Sequence, residues 1–221
     1  MHQISRPNAA FAATYSSAVL IILYAVGIVG TWIETSRPFF LGLTPSFLLL
    51  NLGFLLLYQP GSRSIKFGIG LGATFILGWG IECVGVHTGV PFGNYAYGTI
   101  LGWKLIDVPL LIGVNWVLLT LAAAEWMQSV LQRNWLAAIS ASILLTALDG
   151  LIEPVAVKLG YWHWYGIQPP IQNYIAWFGM SLLMVLIWFR VFKRRSTEHT
   201  NPMAVLVLGL QFAYFMVLNA L

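Results

Sequence analysis

Seven stretches of the chain are long, apolar and nearly free of charge, and this pattern restricts the fold more than anything else. A helix needs ~20 such residues to cross the hydrocarbon core of a bilayer. The runs fall at residues 11–33, 41–58, 65–86, 105–127, 135–157, 172–192 and 203–220. The whole chain is 59% hydrophobic and 8% charged, against about 25% charged in soluble domains. A soluble core cannot hide so much apolar surface, so lipid must act as solvent. The expectation is an all-α, polytopic membrane bundle of about seven transmembrane helices, forming one domain over residues 1–221. The first run is too long for the apolar core of a signal peptide and reads as a retained helix.

The breaks carry turn chemistry. Gln59-Pro60-Gly61-Ser62 separates the second and third runs, and Thr200-Asn201-Pro202 precedes the last. The third run is glycine-rich, and Gly68-x-x-x-Gly72 would let another helix approach closely. Two connections, 87–104 and 158–171, are long and aromatic. The plain reading is an interfacial belt. The sharper one is a pair of lids or re-entrant segments over a lipid pocket.

Seven spans place Arg6, Arg63, Lys66, Arg133, Arg190, Lys193, Arg194 and Arg195 on one side, and Arg37, Lys104 and Lys158 on the other. The chain is expected in the cell inner or plasma membrane, and that asymmetry puts its N-terminus in the cytoplasm and its C-terminus outside. The net charge of +4 follows this loop pattern and is no nucleic-acid footprint. The single cysteine, Cys83, rules out an intrachain disulfide.

On this topology the acids are unevenly placed. Glu125 and Glu198 fall on the cytoplasmic side, where solvent would reach them. Glu34, Glu82, Asp107, Asp149 and Glu153 fall toward the outer ends of their helices. A carboxylate in a spanning helix costs a few kcal/mol even on the lenient insertion scale, so several together need a partner, a cavity or a use. Glu34 beside Arg37 reads as interfacial. Asp107 before Val108-Pro109 has the look of a helix N-cap. Glu82 lies one turn inside its helix end, on the face of Trp79. Asp149 and Glu153 stand at i and i+4 and share a helix face. Lys158 could pair with Glu153, and Pro154 could kink the helix and open space beside it. Two carboxyls on one face in low dielectric do not both ionise easily. One could serve as a general acid while its neighbour orients a water. Asn51 and Asn115, deep in the second and fourth runs, read as interhelical hydrogen-bonding groups.

Several classes drop out. The last run has no lysine for a retinal Schiff base. Four histidines, His2, His87, His163 and His199, do not make the cluster of a membrane di-iron hydroxylase. His87 and His163 with carboxylates could hold a single metal, but none is expected. A prenyltransferase needs two aspartate-rich motifs; only the Asp149–Glu153 spacing is present. No phosphate loop or nucleophile elbow is found.

The run Glu82-Cys83-Val84-Gly85-Val86-His87-Thr88-Gly89-Val90-Pro91-Phe92-Gly93-Asn94-Tyr95-Ala96-Tyr97 resembles the membrane-bound carotenoid biosynthesis hydratases of the gamma-carotene and bacterioruberin branches. The resemblance continues through Leu101-Gly102, Val108-Pro109, Asn115-Trp116, Asp149-Gly150-Leu151-Ile152-Glu153-Pro154, Trp162-x-Trp164, Pro170-x-x-Asn173-Tyr174 and Trp177. It covers about residues 79–180. It implies addition of water to the terminal double bond of an acyclic carotenoid end, giving a tertiary alcohol without a cofactor. The catalytic set would be Asp149 or Glu153 as acid and Glu82 or Asp107 as water base. Trp79, Tyr95, Tyr97, Asn115, Trp162, Trp164, His87, His163 and Asn173 would bind the substrate. The partners implied are a carotenoid in the bilayer, membrane lipids and other carotenoid-modifying enzymes. Two competing readings stand beside it. One is another isoprenoid enzyme such as a cyclase, which also begins by protonating an alkene. The other is a non-catalytic pigment- or lipid-binding protein, or a proton-coupled transporter; a transporter should carry acids through both leaflets.

Overall fold

A computed structural model describes residues 6–166, 169–191 and 201–221, with side chains from residue 11 onward. Lys193, Arg194, Arg195, Glu198, His2 and His199, and the side chain of Arg6, lie outside the described residues. The elements in order are α1 (Arg6–Trp32), α2 (Arg37–Gly42), α3 (Thr44–Leu57), α4 (Ile65–Thr88), β1 (Tyr95–Tyr97), β2 (Lys104–Leu105), β3 (Val108–Pro109), α5 (Leu110–Val130), α6 (Asn134–Leu159), β4 (Trp162–Trp164), α7 (Ile171–Val191) and α8 (Pro202–Leu218). The protein is all-helical apart from two short ladders. Five helices, α1 and α4–α7, are long and apolar enough to cross a membrane. With that composition it is an integral membrane protein. The apolar helices α3 and α8 are shorter.

The element ends follow local chemistry. The hydroxyl of Ser64 accepts a hydrogen bond from the Phe67 N–H at the start of α4. At its other end Gly89 adopts φ +73°, the left-handed residue that terminates a helix. Gly160 ends α6 in the same way, while Pro154 lies inside α6 without ending it. The expected span over 41–58 is mostly α3, which starts late at Thr44 because Pro45 begins a new helix and residues 41 and 42 close α2. The expected span from residue 105 begins at Leu110 instead. Residues 104–109 form a tight hairpin, with Ile106 at φ 51° and Asp107 at φ 59°. Asp107 is thus a turn residue, and Pro109 occupies the N-cap position of α5.

Helix α5 is the hub, packed against α3, α4, α6, α7 and α8. Buried alanines on α5 (Ala122, Ala123, Ala124) and α6 (Ala137, Ala138, Ala141) allow close helix approach in lipid. The Gly68/Gly72 pair does not serve that purpose, since both face open space. Close approach occurs at Gly70 against Trp188 and at Gly78 against Trp116. Asn51 does bond between helices, accepting from the Tyr24 hydroxyl at 2.9 Å. Glu125 differs from expectation: it is buried and accepts from the Gln59 amide, whose oxygen in turn accepts from Asn201 at 2.9 Å. This polar knot ties the ends of α3 and α5 to the N-cap of α8.

Candidate active site

The two aromatic connections are one structure. β1 and β4 pair antiparallel, with Tyr95 opposite Trp164, Ala96 opposite His163, and Tyr97 opposite Trp162. Alternation along a strand sends Tyr95, Tyr97, Trp162 and Trp164 to one face and His163 to the other. His163 is exposed and rests on the Tyr165 ring, 5.0 Å between centroids. The inward face meets the C-terminal ends of α4 and α6 and the N-terminal ends of α5 and α7 around a cavity of about 40 Å³. That is room for about three waters at ~10–15 Å³ each.

Three buried carboxyls line this cavity, each held differently. Glu82 of α4 accepts from three donors. The Tyr95 and Tyr97 hydroxyls both donate to its Oε2, the second at 2.7 Å, and the Trp116 indole N–H reaches Oε1 at 3.3 Å. Two glycines make room for these donors. A Cβ on Gly78 would strike Trp116, and one on Gly85 would strike Phe92 and the Tyr95 hydroxyl. Burial, and after it the neighbouring Glu82, pushes both phenols well above their ordinary range, so they remain protonated donors. Glu153 of α6 accepts from two indoles of the ladder, Trp162 at 3.1 Å and Trp164 at 2.8 Å. Asp149, one turn earlier, accepts only from the Asn173 amide, at 2.9 Å on Oδ2. Its Oδ1 is buried and has no hydrogen-bond partner. The expected Lys158–Glu153 pair is not formed among the described residues. Lys158 is exposed and shares a surface cleft with Glu34 and Arg37.

Nine of the thirteen expected site residues come together in this cavity: Glu82, Asp149, Glu153, Tyr95, Tyr97, Asn115, Trp162, Trp164 and Asn173. Four do not. Asp107 is 79% exposed and pairs with His87 at 3.4 Å on the outer surface. His87 itself bonds the Cys83 carbonyl. His163 points outward, and the Trp79 indole donates to the Val108 carbonyl, tying α4 to the hairpin. For Asp107 the physical reason is the turn, because two left-handed residues carry the side chain away from the bundle. The cavity also holds Phe92, Ile112, Trp116, Ile152 and Trp177. Trp116 and Trp177 stack at 4.3 Å. Both lie in the stretches quoted above as family-like, a signal that was available before the geometry.

A second, larger cavity of about 100 Å³ adjoins the first. Ile112, Asn115, Ile152 and Trp162 line both. Its remaining wall is mostly apolar, from α1, α3, α5, α6 and α8, and includes Phe47, Leu48, Leu101, Leu111 and Phe215. The arrangement is a small acidic chamber opening onto an oily one. It is suited to an apolar molecule that must meet a proton and a water at one end.

No solved structure matches the chain. The bisanhydrobacterioruberin hydratase of Haloarcula japonica is 34% identical over 132 residues, which are 55% of this chain and 44% of that relative. The chain therefore matches under half the length of this curated relative. The family model described as carotenoid biosynthesis protein matches residues 43–221. That match takes in every residue of the acidic chamber and every element that positions one, and the chain belongs to the carotenoid biosynthesis protein family.

Proposed function

We propose that the protein is a carotenoid-modifying enzyme that hydrates the terminal C=C of an acyclic carotenoid end to a tertiary alcohol, by carboxyl acid–base chemistry alone. The observation that carries this reading is the unequal treatment of three carboxyls around one cavity. Hydrogen bonds given to a carboxylate favour its charged form. Glu82 receives three and Glu153 two, while Asp149 receives one and leaves Oδ1 free. Asp149 is the natural proton donor.

The steps balance without a redox partner. Asp149 Oδ1 delivers its proton to the less substituted alkene carbon, and the π pair forms the new C–H bond. The tertiary carbon is left cationic. Tyr95, Tyr97, Trp116, Trp162, Trp164 and Trp177 surround it with π clouds, worth about 0.5–2 kcal/mol for each face presented. A water in the chamber adds to the cation. Its excess proton passes to Glu82 or Glu153 and returns to Asp149 within the chamber, so no net proton is consumed. The return step runs from the protonated Glu82 or Glu153 to the Asp149 carboxylate, and all three line the same cavity.

The reading is completed by topology. α3 and α8, at ~1.5 Å per residue, are shorter than the ~30 Å hydrocarbon core. Taken as crossings, they give seven spans, with the N-terminus cytoplasmic and the acidic chamber at the outer leaflet. Reporter fusions at the two termini should then report opposite sides of the membrane. Both ends on one side would remove the seven-span topology.

The test of function is expression in cells that make lycopene or gamma-carotene. The expected result is a new pigment heavier by one water per modified end. Unchanged pigments with protein present in the membrane would overturn the proposal for those ends, and a cyclised product would move it to a cyclase.

A further inference from the structure

Gln211 stands near the middle of α8, a helix otherwise built almost wholly of apolar residues. It is 4% exposed and lines the oily chamber, and its side-chain Nε2 has no hydrogen-bond partner. Tyr24, Thr44, Tyr161 and Tyr214 of that chamber are satisfied within the protein, and Asn115 stands half-buried at its junction with the acidic chamber. The Tyr24 hydroxyl donates to Asn51 at 2.9 Å, Thr44 and Tyr161 share a hydrogen bond of 2.8 Å, and Tyr214 shares one of 3.2 Å with Thr31. One buried amide donor is thus left over in an apolar cavity. A buried donor without a partner costs about 1–3 kcal/mol, and a leucine or methionine in its place would cost nothing of the kind.

We propose that Gln211 is a specificity-determining residue, its amide donating a hydrogen bond to an acceptor oxygen, hydroxyl or carbonyl, on the isoprenoid end held in the oily chamber. The inference rests on the hydration reading, since it takes the oily chamber as the seat of the same end whose alkene meets Asp149. The alkene has to lie at the junction lined by Ile112, Asn115, Ile152 and Trp162. Gln211 belongs to the oily chamber alone, so the oxygen it reads is distinct from the one added at the acidic chamber. The ligand class is an acyclic isoprenoid end that already carries one oxygen before hydration. A site built to hydrogen-bond a substrate oxygen discriminates strongly against the analogue that lacks it, because its own polar group is then left unpaired.

The test uses the full chain in detergent, as wild type and as Gln211→Met, which keeps length and removes the donor. Two acyclic carotenoids are compared, one with a bare hydrocarbon end and one with a hydroxyl a few carbons from the alkene. Wild type should favour the hydroxylated end by at least ~10-fold in kcat/KM. Gln211→Met should erase that preference, losing activity on the hydroxylated end and keeping it on the hydrocarbon. Its thermal midpoint should hold or rise, because an orphaned donor has gone; a glutamine serving structure alone would lower it. Equal loss on both substrates, or no loss on either, overturns the inference.

Binding separates this from the hydration reading. Ten-carbon acyclic terpenes, one a tertiary alcohol and one its hydrocarbon counterpart, are titrated into both proteins. Tighter alcohol binding by wild type alone supports the role of Gln211 even if neither carotenoid is hydrated. Equal binding by both proteins, as expected if the amide holds only a structural water, overturns it even if hydration proceeds.

Discussion

Asp149→Asn should fold normally and lose at least ~100-fold in turnover, the usual scale for removing a general acid. The substitution is isosteric. The Asn173 amide still finds an oxygen to donate to, so the local hydrogen bond survives, and what disappears is the transferable proton. Glu153→Gln should lose activity on a similar scale, and its amide oxygen can still accept from Trp162 and Trp164. Glu82→Gln differs physically. Both tyrosine hydroxyls donate to one oxygen of Glu82 and an indole donates to the other. An amide offers only one acceptor oxygen, so a donor must lose its partner. This variant should therefore lose activity and also melt earlier than wild type, whereas Asp149→Asn should not. Near-normal turnover in all three folded variants would make the carboxyls structural and sink the mechanism.

The second large effect concerns where the atoms of the product come from. Purified protein given an acyclic carotenoid without oxygen or reductant should form the tertiary alcohol. In heavy-oxygen water the label should enter the new hydroxyl essentially completely, because the nucleophile is water. In deuterated water one deuterium should appear on the carbon next to the carbinol carbon. That carbon receives the proton of Asp149, which exchanges with solvent each cycle. Asp149→Asn should abolish both labels together, since capture of water waits on protonation. Label arriving from oxygen gas, or an absolute need for NADPH or iron, would replace hydration with oxygenation. A deuterated, cyclised product without a hydroxyl would keep Asp149 as the acid and deny water its part.

Much of the helical scaffold was legible in the residues. The apolar runs at 65–86, 135–157 and 172–192 lie within one or two residues of α4, α6 and α7, because a bilayer demands a continuous apolar stretch, and Ser64, Gly89 and Gly160 mark three of the ends. Asp149 and Glu153 were recognisable as a pair because helical periodicity is local. The run at 41–58 started three residues early, since hydropathy does not register that Pro45 begins a new helix at Thr44. Asp107 misled for a similar reason. An Asp-Val-Pro stretch fits a helix start, and only the left-handed turn at Ile106 and Asp107 shows that the side chain faces outward. Glu125 looked solvated from its place near a helix end and is instead buried against Gln59. Gln211 carries a signal in the sequence itself: a lone polar residue in an apolar membrane helix is costly and invites a reason.

Taken alone, the residues determined the solvent, the helical class and the i, i+4 carboxyl pair Asp149/Glu153, because each of these depends on composition or on neighbours within a turn, and the motifs spread over residues 79–180 carried the resemblance to the family. Tertiary structure decided which carboxyls share a chamber. Residues 95–97 and 162–164 are far apart in the chain, and pattern within either segment does not dictate that they pair. Once they do, four aromatic side chains are turned inward and His163 outward. The donors that distinguish Glu82 and Glu153 from Asp149 come across that ladder, from Trp116 on α5 and from Asn173 on α7. Chemical role at this site is set by which donors reach which oxygen, and those contacts join segments that only the folded chain brings together.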